Sequence, residues 1–224
     1  NKVTKFAERH GITMKPVEFR KSKGLYYMDK DTNTIYEGTA TIKSCNQQIG
    51  DELYVLRDKK YNFFTDLLID IFDPTIIEYQ NEKLPVLSAY KDREVDFLKQ
   101  IDLSINKHTG NCNITTEKLF AINSRSMINL IRLRYFKEFG GTQKLVKVYE
   151  FFRKNYKPKN KRFVGKYEKY LRCVEYEKSL DCDDFPISVS LQDEMSLLGR
   201  CISVNETAPK NIAFVTSVLK RSNK

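Results

Sequence analysis

The chain has 224 residues, 41% of them hydrophobic, with 39 Lys and Arg against 29 Asp and Glu for a formal net charge of +10. That composition is enough to bury a core, which excludes a disordered chain, and the length suggests one large or two small domains. No apolar run approaches the ~20 residues that span a bilayer, so no membrane partner is expected; NKVTKFAERHG at the start lacks an initiator Met and an apolar signal segment, which suits a fragment of something longer.

Strand signals open the chain: KPVEFRK (15–21), GLYYM (24–28), a polar turn DKDTN (29–33), TIYEGTATIKS (34–44) with Tyr36, Ala40 and Ile42 on one face, and ELYVL (52–56). YNFFTDLLIDIF (61–72) has helical spacing, with Phe64, Leu67, Leu68 and Ile71 inward, Asp66 and Asp70 opposite, and Asp73-Pro74 as its end. TIIEY (75–79) and LPVLSAY (84–90) read as short strands, KDREVDFLKQI (91–101) as a helix, and LSINKHTGNCNIT (103–115) as a hairpin turning at Thr109-Gly110-Asn111. TTEKLFAI (115–122) and SRSMINLIRLRYFKEFGG (124–141) read as a helical pair, the second capped by Ser124 and stopped by Gly140-Gly141. Beyond residue 162, FVGKYEKYLRCVEYE, PISVSLQDE, MSLLGRCISV and NIAFVTSVLKR read as strands, with Ile187, Val189 and Leu191 alternating against Ser188 and Ser190. The expected class is α+β and β-rich, with helices in the middle. Residues 1–140 form a mixed domain, 141–162 a basic aromatic segment or loop, and 163–224 a small barrel.

The charge excess is local. Residues 1–140 hold 22 basic and 19 acidic side chains and 171–224 hold seven and eight, whereas 141–170 hold ten and two. Such a concentration recruits a polyanion. Within FFRKNYKPKNKRFVGKYEKY (151–170), Arg153, Lys154, Lys157, Lys159, Lys161, Arg162, Lys166 and Lys169 are candidates to neutralise phosphates. Phe152, Tyr156, Phe163, Tyr167 and Tyr170 are candidate platforms for unstacked bases. On an extended strand Phe163, Tyr167 and Lys169 would share one face and Lys166 and Tyr170 the other, and one face must cover a core, so some of these aromatics are structural. KNYKPKNKR (154–162) reads as an exposed basic loop or as a solvated linker. Arg132 and Arg134 either extend the basic region or form the wet face of an ordinary amphipathic helix.

Catalytic and metal signatures are sparse. Five cysteines at irregular spacings with two histidines form neither a paired zinc motif nor an even disulfide framework, which suits reduced thiols in a cytosolic or nuclear protein. No Walker phosphate loop, HExxH or GxSxG is present. Asp66, Asp70 and Asp73 stand at helical spacing and are a candidate Mg²⁺ set, against the commoner reading of a solvated acidic face. No cofactor, metal or catalytic residue is therefore assigned.

The C-terminal pattern, a first strand FVGKYEKYLRCVEYE followed by ISVSLQDE and GRCISV, resembles the opening of an oligonucleotide/oligosaccharide-binding (OB) barrel, and GLYYMDKDTNTIYEGTATIKS to ELYVL offers a first OB-like unit with a helical insertion within 1–140. In texture, rich in Lys, Asn, Tyr and Phe, the chain is also similar to the late expression factor three family of baculovirus single-stranded DNA-binding proteins. That resemblance implies a non-enzymatic viral replication protein of the host nucleus, which coats single-stranded DNA, self-associates and meets the replicative helicase. The residues themselves point to single-stranded nucleic acid bound largely without sequence preference, and the resemblance puts DNA before RNA. Three other classes stay open: a winged-helix duplex-binding initiator or transcription factor built on RSMINLIRLRYFKEF, a metal-dependent nucleic-acid-processing enzyme, and a scaffold docking an acidic protein.

Overall fold

The computed structural model describes residues 6, 7, 9–107, 112–117, 119–157 and 162–203. In chain order its elements are β1 (Thr13–Lys15), β2 (Tyr27–Asp29), β3 (Thr34–Tyr36), α1 (Gln47–Val55), α2 (Phe64–Phe72), β4 (Thr75–Tyr79), β5 (Glu82–Pro85) and α3 (Val86–Asp92). There follow α4 (Val95–Asn106), β6 (Cys112–Thr116), α5 (Ser124–Arg132), α6 (Thr142–Asn155), α7 (Phe163–Ser179) and α8 (Ile187–Leu198). The class is α+β, as expected, but helix outweighs strand. The chain forms two compact units, one drawn from Asn1–Lys59, Ala121–Val146 and Asp183–Lys224, the other from Lys60–Phe120 and Lys147–Cys182.

In the first unit β3 lies between β1, to which it is parallel, and β2, to which it is antiparallel. These strands are shorter than the sequence suggested: Val17 and Phe19 of KPVEFRK are buried outside any strand. ELYVL is helical, contrary to expectation, because the Asn46 side chain accepts the Ile49 amide at 3.0 Å and Ile49 and Leu53, four residues apart, both face the core. Gly50 lies between them; a methyl placed on it would stand 2.6 Å from the Gly24 nitrogen, so the helix approaches that backbone closely. Asn123, rather than Ser124, caps α5, accepting the amides of Arg125 and Ser126 at 2.9 and 3.0 Å. The helix ends well short of Gly140-Gly141, because Arg134 turns to a left-handed φ of 58°. PISVSLQDE is not a strand but the start of α8, whose buried Ser190, Leu191, Asp193 and Glu194 follow helical spacing and whose end is set by left-handed Gly199.

The second unit holds a sheet in the order β5-β4-β6, antiparallel throughout, with Ile77 opposite Leu84 on one side and Ile114 on the other. Residues 112–116 thus pair with β4 rather than folding back on 103–106, which belong to α4; the expected turn at 109–111 lies outside the described residues. LPVLSAY is divided between β5 and α3, and in TTEKLFAI Thr115 and Thr116 end β6 while the described residues after them form no helix. The α2 helix is present and stops at Asp73, which cannot stay helical ahead of Pro74 and sits at φ −128°, ψ 71°.

The largest corrections concern the C-terminal half. Residues 142–155 of the segment read as a loop form α6, and the stretch read as the first barrel strand is α7. The buried positions of α7, Phe163, Lys166, Tyr170, Cys173, Val174 and Glu177, recur every three or four residues, which is a helical and not a strand period. Among the described residues there is no closed barrel, and 163–203 contribute no strand to either sheet. NIAFVTSVLKR falls outside them. No described helix is long and apolar enough to cross a membrane.

Candidate nucleic-acid interface

The second unit brings the end of α6 and the start of α7 to the two sides of residues 156–162. Lysine and arginine side chains that leave a helix end keep their charge in water, and here Arg153, Lys154 and Lys157 are exposed on one side and Arg162, at the N-cap position of α7, on the other. Arg153 also lies 5.9 Å from the centroid of Tyr149. No carboxylate occurs in the sequence between Glu150 and Glu168. Lys159 and Lys161 lie outside the described residues. Lys169 is half-exposed on α7.

The other expected site residues do different work. Tyr156, Phe163 and Lys166 are each about as buried as core leucines, at 2% exposure, which corrects their assignment to base stacking and phosphate contact. Lys166 Nζ bonds Asp73 Oδ2 at 3.0 Å, and the Tyr156 hydroxyl donates to the same oxygen at 2.5 Å while sharing a 3.1 Å bond with the Tyr90 hydroxyl. Thr75 Oγ1 also donates to Asp73. Tyr170 donates to Asp66 at 2.9 Å and stacks on Tyr90 at 5.3 Å, and half-buried Tyr167 lies 5.6 Å from Tyr90. Burial is the main reason that the phenols of Tyr90, Tyr156 and Tyr170 are held far above their ordinary range, with Asp66 or Asp73 adding to it, so all three act as hydroxyl donors. Arg132 and Arg134 belong to the first unit, where they reach α8 through Asp193 at 3.5 Å and the Ser190 hydroxyl at 3.4 Å.

Sequence reasoning missed the carboxylates that hold these helices. The Glu177 carboxylate accepts the amides of Phe64 and Thr65 at 2.8 and 2.9 Å, satisfying the N-terminus of α2 from more than a hundred residues away. Asp102 does the same for α7, accepting Phe163 N at 2.7 Å and Val164 N at 3.1 Å. Long-range caps leave no local signature, so neither was visible in the chain. Asp66, read as half of a wet acidic face, is wholly buried and bound by Asn62 N, Tyr170 and Lys91. Asp70 accepts from Tyr61 at 2.8 Å. With Asp73 engaged as above, the three carboxylates are spent on protein partners, and no metal-holding cluster of His, Cys, Asp or Glu occurs among the described residues. Burial pushes the Cys45 thiol up to about 11 and the Cys173 thiol up to about 12, which is the reverse of an activated nucleophile. The run FRKSKGLYYM (19–28) carried a second basic-aromatic signal that went unread, and its Arg20, Lys21 and Tyr27 line a cleft in the first unit.

Comparison with known proteins finds no matching family model, no matching curated protein and no matching solved structure.

Proposed function

We propose that the protein binds single-stranded nucleic acid, DNA before RNA, through phosphate contacts made by the α6–α7 tip. The observation that carries this reading is the exposure of Arg153, Lys154, Lys157 and Arg162 on both sides of a segment with no acidic residue. Each phosphate contact releases condensed counterions, so binding is electrostatic, salt-dependent and indifferent to sequence. The role is non-catalytic. Coating of a strand in DNA replication, with self-association and contact with a helicase in a nucleus, belongs to the same proposal and rests on the resemblance of the sequence. An OB barrel is not needed for it, since helices present the charge.

Burial of Tyr156 and Phe163 favours a second reading. A tip without stacking platforms has no intrinsic reason to prefer a single strand, and B-DNA carries the higher charge density. Fluorescence anisotropy with a labelled mixed-sequence strand and its duplex, at about 50 mM salt, separates the two. The first reading requires the strand to bind about tenfold tighter than the duplex. Equal or tighter duplex binding selects the second reading, and no binding of either removes both.

A further inference from the structure

An open cleft of about 360 Å³ in the first unit is lined by Arg20, Lys21, Tyr27, Asp29, Tyr36, Tyr54, Arg57 and Asp58. A space of that size falls at the small end of ligand-binding pockets. Its aromatic wall is built: Tyr27 from β2 and Tyr54 from α1 stand 5.8 Å apart between ring centroids. Lys23 Nζ sits 4.1 Å from the first centroid and 4.8 Å from the second, and the Arg57 guanidinium lies 4.6 Å from Tyr54. Arg20 is committed to the wall itself, bonding Glu138 at 2.9 and 3.0 Å and the carbonyls of Arg57 and Lys59. Exposed Lys21 and Arg57 also line the cleft, with Arg57 3.2 Å from exposed Asp58.

We propose that this cleft binds a nucleoside phosphate, its base against the Tyr27, Tyr54 and Arg57 wall and its phosphate on Lys21. The faces of the two rings already serve the protein's own cations, which repels a cationic ligand and leaves an anionic aromatic one as the complement. A guanidinium on a ring offers a flat surface on which a base stacks. Asp29, whose carboxyl is held below its ordinary range by the Thr32 hydrogen bond, supplies an acceptor for ribose hydroxyls. The site is built from residues of the first unit alone and does not depend on the α6–α7 tip. Its ligand is a free nucleotide or one unit of a strand.

Calorimetry with AMP and with ribose 5-phosphate, and anisotropy with a short labelled oligonucleotide, test this on the wild type, on K21Q/R57Q and on the tip variant K154Q/K157Q/R162Q. Binding of AMP at least about tenfold tighter than ribose 5-phosphate, weakened about tenfold in K21Q/R57Q at unchanged thermal midpoint and intact in the tip variant, supports a free nucleotide. Absence of AMP binding with oligonucleotide affinity weakened in K21Q/R57Q supports a strand unit. Equal binding of AMP and ribose 5-phosphate, or no effect of K21Q/R57Q on either ligand, overturns the proposal. Failure of the tip variant to change oligonucleotide binding is a separate result and bears on the tip alone.

Discussion

Removing the ammonium of Lys166 would leave the Asp73 carboxylate, at 2% side-chain exposure, with only the hydroxyls of Tyr156 and Thr75 as donors. A buried ion pair broken from one side typically costs about 3–5 kcal/mol, because the remaining charge stays desolvated. Lys166→Met is therefore expected to lose that much stability in urea unfolding, while the folded variant keeps its affinity for a single strand. Lys157, nine positions earlier in the same basic run, is exposed, and Lys157→Met is expected to show the opposite profile, weakened strand binding at unchanged stability. The sequence could not separate the two, because both are lysines within one run of positive charge and what distinguishes them, the partner Asp73, lies far away in the chain.

At the scale of elements, legibility followed the period of the apolar residues. The α2 helix was readable because four apolar positions, Phe64, Leu67, Leu68 and Ile71, repeat at helical spacing and a proline ends it. The α7 and α8 helices were misread because Phe163 and Tyr167, or Ile187, Val189 and Leu191, alternate well enough over a few residues to mimic a strand, while their inward positions include Lys166, Glu177, Asp193 and Glu194. Polar groups buried by specific partners do not register in a hydrophobic pattern. The α1 helix hid for another reason: its Tyr54 and Val55 have strand propensity, and the Asn46 cap and the close packing at Gly50 overrule them. Gly50→Ala is the corresponding test. In an isolated helix the change would stabilise by up to about 1 kcal/mol. Here the added methyl meets the Gly24 backbone, so we expect a loss of about 1–3 kcal/mol in thermal or urea unfolding.

For the molecule as a whole, the net charge of +10 is a poor guide to where a polyanion would sit. The residues of the second unit hold 18 basic and 15 acidic side chains, nearly balanced, yet residues 153–162 within it hold six basic and no acidic ones. Local density, and the exposure of Arg153, Lys154, Lys157 and Arg162, is what the proposed function uses. That concentration was legible in the sequence, and so was the exposure of Arg153, Lys154, Lys157 and Arg162. The aromatic half of the expected site was not, because burial of Tyr156 and Phe163 is a tertiary outcome. The most direct measurement is the salt dependence of single-strand affinity for the wild type and K154Q/K157Q/R162Q. Each lost phosphate contact lowers the slope of log affinity against log salt by ~0.7, so the variant's slope is expected to fall by about 2 with an unchanged thermal midpoint. A variant that binds the strand with the wild-type affinity and slope would contradict the account and move the search for function away from the tip.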